Sequence, residues 1–394
     1  MKKDNEARLR ANRVWLGPES CDLEDFAALV SRTTKHADYP FASDIAANIP
    51  IYDGEAVRAA ASDPQRRQEI MAEWVEVMLT GPGVVVFRNA FPNHAPIDAA
   101  SKIFFDIIAE QHRTNSGGGD HFAKPGANDR IWNALEKLCL RAPDVFARYY
   151  ANDIIALISE AWLGTSYQVT SQLNVVNPGG EAQSAHRDYH MGFQSAAEIA
   201  RFPAHAHRLS PMLTLQGAVA HCDMPLESGP TLYLPFSQTC EAGYFVYSKP
   251  EFRAYFDKHR VQLPLAKGDA AFFNPAVFHG AGTNHTNHIK RMANLLQVSS
   301  AYGRAMENMD RARMALSLYG ALQAMPELSA QGRANAVSAC AEGYAFPTNL
   351  DRDPPLGGLA PQSQAALMRE ALDNGWTAAA FGVALQKRRW SQLT

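Results

Sequence analysis

The segment Gln183-Ser184-Ala185-His186-Arg187-Asp188-Tyr189-His190 places two imidazoles and a carboxylate at alternate positions. On extended backbone His186, Asp188 and His190 share one face, while Arg187 and Tyr189 share the other. Imidazole and carboxylate together are the donor set of a mononuclear metal site, and the turn Asn177-Pro178-Gly179-Gly180 gives the segment a defined start. A short His-x-Asp match also arises by chance, and its alternative meaning is a hydrogen-bonded surface pair. Further on, Asn274-Pro275-Ala276-Val277-Phe278-His279-Gly280-Ala281-Gly282 sets a histidine between an apolar strand and a Gly-x-Gly turn. There its imidazole can enter a barrel mouth while the backbone bends sharply. Arg291 heads the apolar run 292–299. Its guanidinium suits a two-pronged grip on a carboxylate in a partly desolvated pocket, or a salt bridge on a rim.

The elements that must hold these residues are short and β-rich. Runs at 167–176, 213–220, 231–234, 261–265, 270–273 and 292–299 alternate with turn chemistry such as Glu227-Ser228-Gly229-Pro230 and Lys267-Gly268-Asp269. Closely spaced short strands of this kind predict an antiparallel sandwich or barrel. Upstream, helices are predicted at 22–31, at 64–79 with Ser62 or Asp63 as N-cap, and at 96–111, with a strand at 84–87. The glycines 117–119 predict a loop, 128–163 reads as helices broken at Ala142-Pro143, and the chain beyond Tyr302 is helical.

Composition narrows the function. With 46% hydrophobic and 20% charged residues the chain can bury a large core, which excludes a mostly disordered protein. A formal net charge of −3 argues against nucleic acid as a partner. The five cysteines, Cys21, Cys139, Cys222, Cys240 and Cys340, are scattered without a CxxC pair, so neither a disulfide framework nor a zinc module is expected. With a charged N-terminus and no long apolar run, the expectation is a soluble cytoplasmic protein without membrane association.

Taken together, His186-x-Asp188, His279 and Arg291 resemble the iron(II)- and 2-oxoglutarate-dependent dioxygenases, in particular the phytanoyl-CoA dioxygenase branch. The segments Glu227–Pro235, Leu265–Phe273 and Gly81–Phe87 are similar to that family's turn–strand–Pro segment, its KGD turn and its opening strand. The resemblance implies an α+β chain with a double-stranded β-helix (jelly-roll, cupin-like) core wrapped by N- and C-terminal helices. Residues 1–79 would be a helical extension, 80–302 the core with inserted helices, and 303–394 a second helical extension packing on it. His186, Asp188 and His279 would bind iron(II), Arg291 would hold the far carboxylate of 2-oxoglutarate, and O₂ would be the second co-substrate.

The implied reaction is oxidation of an unactivated C–H bond, coupled to decarboxylation of 2-oxoglutarate to succinate and CO₂. Hydroxylation is the expected outcome, with desaturation or oxidative cyclisation as variants, and the presence of Asp188 argues against halogenation. Where the family often carries a hydroxyl two residues after the distal histidine, this chain has Ala281, and Thr283 is the candidate substitute. Gln172 and Asn174, on one face of their strand, are candidates to touch the co-substrate or form a ladder-facing polar pair. His190, Lys124, Arg130, Trp132, Tyr344 and Phe346 are candidates for the substrate side, against ordinary packing. The expected substrate is a small molecule, an amino acid or an intermediate of specialised metabolism, acted on by a monomer or homodimer. A metal-dependent hydrolase or isomerase on a cupin-like barrel, or a non-catalytic 2-oxoglutarate-binding protein, are the competing readings.

Overall fold

The computed structural model describes residues 2–114 and 126–394. Two compact units emerge: Met1–Pro92, Gly118–Asp129 and Asn174–Leu295 form the first, and Asn93–Gly117, Arg130–Leu173 and Leu296–Thr394 the second. The strands are β1 (Asp44–Ala46), β2 (Ile49–Asp53), β3 (Val84–Arg88), β4 (Asn128–Ile131), β5 (Gln168–Val176), β6 (Thr214–Ala220), β7 (Leu232–Leu234), β8 (Val261–Gln262), β9 (Ala270–Phe273), β10 (Phe278–Gly280) and β11 (Arg291–Ser299). Eight of them form one sheet in the order β1-β2-β3-β9-β6-β11-β5-β4, and β10-β7-β8 form a second.

In the first unit the two sheets share a core. Ile49 and Ile51 of β2, Val84 and Val86 of β3, and Ala271 and Phe273 of β9 pack with Tyr233 of β7, Leu263 and Val277. The period-two alternation of a strand turns Phe87 to the other face. There its ring lies 5.1 Å from Trp74 and 6.1 Å from Phe272. Trp74 belongs to the helix Pro64–Leu79, which Asp63 caps by accepting from the Arg66 N–H and which buries Ile70, Trp74, Val77 and Met78 on one stripe. Fully burying one such side chain contributes about 2–3 kcal/mol. A second apolar cluster joins Phe26, Phe252, Phe256 and Phe278 to Leu232, Leu234, Tyr244 and Phe245. The Lys267-Gly268-Asp269 turn is pinned by its carboxylate, which accepts from Asn89 N and Ala266 N and pairs with Arg88.

The second unit is mainly helical, with helices Ala95–Thr114, Ala134–Arg141, Pro143–Tyr150, Asp153–Leu163, Arg311–Gln323, Ala330–Cys340, Gln364–Asp373 and Ala378–Ser391. No helix among the described residues is long and apolar enough to cross a membrane.

The chain is thus a mixed α/β protein with a large sheet and many helices. Helices expected at 22–31, 64–79 and 96–111 form as Leu23–Val30, Pro64–Leu79 and Ala95–Thr114, and the break at Ala142-Pro143 is present. Two expectations need correction, and one element was not foreseen. Residues 128–131 form strand β4 at the sheet's edge, not helix; pairing overrides the local sequence there. Residues 44–53 form a hairpin whose turn residues, Ala47 and Asn48, have φ of 50° and 68°. That is the left-handed geometry of a tight hairpin, but Ala47 is not a turn-forming residue, so the signal was missing. The run 261–265 shrinks to β8, because Pro264 cannot donate to a ladder. The predicted loop at 117–119 lies outside the described residues.

Candidate metal centre

The His-x-Asp segment is strapped against β10 by backbone hydrogen bonds. His186 N donates to His279 O at 3.0 Å and His279 N to His186 O at 3.1 Å. Gln183 N donates to Ala281 O at 2.9 Å and Asp188 N to Pro275 O at 3.1 Å, flanking that pair on both sides. The two histidines therefore stand directly opposite each other, with ring centroids 4.4 Å apart.

Each imidazole is oriented in the same way. His186 Nδ1 lies 2.9 Å from Ser184 O, and His279 Nδ1 lies 2.8 Å from Val277 O. A carbonyl oxygen only accepts, so both Nδ1 atoms carry a proton, and each Nε2 faces inward, where it can hold a proton toward Asp188 or, once deprotonated, a metal ion. Those Nε2 atoms meet the Asp188 carboxylate, His186 at 3.8 Å from Oδ1 and His279 at 3.5 Å from Oδ2. The donor atoms of His186, Asp188 and His279 lie within 4.8 Å of one another, a group that could hold a metal ion. Metal–nitrogen and metal–oxygen bonds of about 2.0–2.2 Å place neighbouring donors about 3 Å apart, so a small inward movement closes the site.

Asp188 is kept charged by its surroundings. Burial would raise its carboxyl, but the His279 hydrogen bond, the charge of His186 and a hydrogen bond from Gln216 overcome that effect and hold it well below the usual carboxylate range. Gln216 Nε2 donates to Asp188 Oδ2 at 2.6 Å, and Tyr244 Oη donates to the Asp188 backbone carbonyl at 3.0 Å. Gln216 sits in the middle of β6, buried on both sides, opposite Phe273 in register. Sequence reasoning missed it, although a lone amide inside the otherwise apolar run Leu215-Gln216-Gly217-Ala218 was a signal.

Arg291 is 7% exposed at the start of β11, and its guanidinium donates to Ser228 O and Gly282 O, each at 3.3 Å. Among the described residues it makes no ion pair, so the rim salt bridge is not what this arginine forms. Desolvation pulls its pKa down to about 10, which leaves it a cation at neutral pH. A buried cation without a protein anion fits the carboxylate of a ligand. Thr283 Oγ1 accepts from Ala182 N at 3.0 Å and thereby fixes the start of the strapped segment.

The expected shared face of His186, Asp188 and His190 does not survive. The chain leaves the extended region at Tyr189, with φ of 51°, and enters the short helical turn His190–Phe193. His190 Nδ1 lies 3.4 Å from Ser210 Oγ, outside the converging donors. Arg187, expected on the opposite face, is buried with its guanidinium over the Tyr244 and Phe278 rings at 5.1 and 5.0 Å. Gly243 makes room for it: a Cβ there would stand 1.9 Å from the guanidinium carbon.

Three other predicted residues gather in the second unit. Arg130 lies over the Trp132 ring at 5.0 Å and its Nη1 is 3.4 Å from Gln172 Oε1. Gln172 also donates to the Met306 sulfur at 3.2 Å. Beside them Glu307 accepts from Asn133 N at 2.7 Å, and burial pushes its carboxyl up to about 7. Tyr344 packs edge-on against Tyr302 and beside Phe346, both with ring centroids 5.6 Å away. Asn174, on the same face of β5 as Gln172, is buried in the first unit, where its Oδ1 has no partner among the described residues. Lys124 lies outside the described residues.

The family model described as phytanoyl-CoA dioxygenase matches residues 67–292, more than half of the chain and all of the strapped site. The chain belongs to the phytanoyl-CoA dioxygenase family. It is an iron(II)/2-oxoglutarate-dependent dioxygenase-type enzyme, with iron and 2-oxoglutarate as its cofactors, and the His186, Asp188 and His279 group fits the iron. No curated protein sequence matches it.

Among solved structures, the dioxygenase is similar to the non-heme alpha ketoglutarate dependent epimerase SnoN from nogalamycin biosynthesis, at 17% identity and a TM-score of 0.41, over 61% of this chain and 82% of that one. The non-heme alpha ketoglutarate dependent carbocyclase SnoK from the same biosynthesis is 19% identical with a TM-score of 0.42, over 58% and 83% of the two chains. AviO1 from Streptomyces viridochromogenes Tue57 is 15% identical with a TM-score of 0.42, over 60% and 97%.

Proposed function

We propose that this dioxygenase oxidises an unactivated C–H bond of a small molecule, an amino acid or an intermediate of specialised metabolism, and that hydroxylation is its outcome. The observation that carries the reading is the convergence of the two Nε2 atoms on the Asp188 carboxylate, with both Nδ1 protons fixed by backbone carbonyls. His186, Asp188 and His279 would be the three protein ligands of iron, on a double-stranded β-helix core. Bound together, iron and 2-oxoglutarate supply the oxidising chemistry, in which decarboxylation of the co-substrate to succinate drives oxidation of the substrate by O₂.

The protein's own contribution is positional. The His186–His279 bridge sets the spacing of the two imidazoles, and the carbonyls of Ser184 and Val277 stop them rotating. Gln216 occupies one lone pair of Asp188 Oδ2 and thereby limits how the carboxylate can turn. Arg291 would take the distal carboxylate of 2-oxoglutarate, exchanging its two long carbonyl contacts for a charge-assisted pair.

The deciding experiment adds iron(II) and 2-oxoglutarate to the protein without oxygen and looks for a visible charge-transfer band, then admits air and measures succinate. A band and succinate that both vanish in His186→Ala support the reading. Iron-loaded, folded protein that shows neither band nor 2-oxoglutarate binding overturns it.

A further inference from the structure

Outside the metal centre, the fold of the first unit brings together two cysteines from distant parts of the chain. Cys21 Sγ and Cys240 Sγ are 3.4 Å apart, in direct contact. Cys21 precedes the helix Leu23–Val30, and Cys240 ends the helical turn Ser237–Thr239. Both line an open cavity of about 690 Å³, together with Ser20, Asp25, Arg32 and Thr239. The two residues that contribute the sulfurs are 8% and 2% exposed, nearly closed to solvent, and the cavity they line is the side from which a small solute would approach.

Charges of both signs bear on the pair, Asp22, Asp25 and Glu241 on one side and the Arg187 guanidinium on the other. Arg187 is buried and makes no ion pair among the described residues, and the ionisable groups that bear on it are Cys240, Tyr244 and Cys21. The Cys21 hydrogen bond acts first, burial opposes it and Arg187 reinforces it, so the Cys240 thiol is pulled below its ordinary value. The Cys21 thiol is pushed up, first by that same bond and then by burial. This division of roles, one sulfur stabilised as thiolate and the other kept as thiol, is the arrangement of an attacking and a resolving cysteine.

The same turn is mechanically joined to the metal centre. Arg187 donates to Ser237 O, within the turn that ends at Cys240, and Arg187 is the residue between His186 and Asp188. Forming a disulfide draws the sulfurs from contact to about 2.0–2.1 Å, a movement shared between rotation of the two side chains and the segments that bear them.

We infer that Cys21 and Cys240 are a redox-active dithiol, a modification site that a peroxide converts to a disulfide and that is coupled through Arg187 to the position of Asp188. In the first step the Cys240 thiolate attacks one oxygen of hydrogen peroxide, the O–O bond breaks, and Cys240 becomes a sulfenic acid while the departing hydroxide takes a proton from solvent and leaves as water. In the second step the Cys21 sulfur attacks the sulfenic sulfur, the S–O bond breaks and a second water departs. Two electrons pass from the two sulfurs to one peroxide. The coupling to Asp188, though not the dithiol itself, rests on the reading of His186, Asp188 and His279 as iron ligands.

The chain carries its own control. Cys139 and Cys340 also lie together, in the second unit, but both are fully buried and the Cys139 thiol is pushed up by its bond to Cys340 and by burial. The test treats reduced, metal-free full-length protein with hydrogen peroxide and maps its thiols by mass spectrometry. The expected result is a Cys21–Cys240 linked peptide that dithiothreitol reverses, with Cys139 and Cys340 still reduced. In Cys21→Ser, Cys240 is expected to be trapped by dimedone as a sulfenic acid. Oxidation of Cys222 while Cys21 and Cys240 stay reduced overturns the dithiol.

Iron(II) affinity is then measured on the same preparations. A tenfold or greater weakening on oxidation, restored by dithiothreitol and absent in Cys240→Ser, supports the coupling. A linked peptide with unchanged iron affinity overturns it. Reduced protein that binds no iron overturns the ligand reading instead, while the thiol map still decides the dithiol.

Discussion

Two carboxylates, one in each unit, are drawn largely out of water, and they end with opposite tendencies. Burial acts on both in the same direction, raising the cost of the charge. At Asp188 two imidazoles and the Gln216 amide reverse that cost and hold the group well below the usual range. At Glu307 burial wins: a hydrogen bond from Asn133 N and the charges of Lys137 and Arg130 only moderate it, and the carboxyl rises to about 7. The difference lies in the number and closeness of donors, not in depth. A carboxylate held ionised beside two imidazole Nε2 atoms is suited to a metal cation, which would take the place of the protons they hold toward it. One poised near neutrality can be hydrogen-bond donor or acceptor depending on pH.

The comparison can be broken most strongly at its first member. Asp188→Ala is expected to weaken iron(II) binding by at least about a hundredfold and to stop succinate formation, because a ligand is worth more than the groups supporting it, whose loss costs about 10–100-fold. Titration with iron(II) under anaerobic conditions reads this directly, and near-normal affinity would remove Asp188 from the ligand set. Arg291→Met is next. It should raise the KM for 2-oxoglutarate by about 30–100-fold, the worth of a charge-assisted hydrogen bond at roughly 2–3 kcal/mol, and leave iron affinity alone. A parallel loss of iron affinity would show the arginine acting on the fold.

Gln216→Leu tests whether the amide matters to the Asp188 charge. Iron affinity is expected to fall about tenfold, and Gln216→Glu should be worse, because it adds a like charge beside the carboxylate. Equal affinities in all three proteins would make the amide a packing group. The smallest effect belongs to Glu307. Its folded pKa, raised from 4.5 to about 7, means that the native state holds a proton which the unfolded state releases. Stability should therefore be unpenalised below about pH 4.5, fall as pH rises from there to about 7, and stay reduced above. After allowance for partial exposure the loss is about 1–2 kcal/mol. Glu307→Gln should flatten it, as chemical denaturation between pH 5 and 8 would show.

How much of this was legible in the sequence follows from how local each signal is. The helix Pro64–Leu79 announces itself through an N-cap, a proline in its first turn and an apolar stripe, all within the helix. His186 and Asp188 are two residues apart and were legible for the same reason. His279 stood out by its place between an apolar strand and a Gly-x-Gly turn, but its partnership with His186 became legible only through the resemblance, because that pairing is a contact across distant chain. Gln216 left only the faint trace of one amide in an apolar run and the Cys21–Cys240 contact left none, because each takes its meaning from a distant part of the chain, whereas the hairpin at 44–53 is local and was hidden by the alanine in its turn. The shared face of His186, Asp188 and His190 failed for one backbone angle, the positive φ of Tyr189, which no residue preference foretells.

The strap between His186 and His279 has one more consequence. It is a single bridge between two segments that are otherwise not a regular ladder. In such a pairing a slip by one residue turns every side chain to the opposite side. His186 and Asp188, which share one segment, would then part together from His279 on the other. With these three residues as the iron ligands, metal capture would be a proofreading event for the chain: only a molecule that had aligned the two segments correctly would take up its ion, and the ion would then hold that alignment in place.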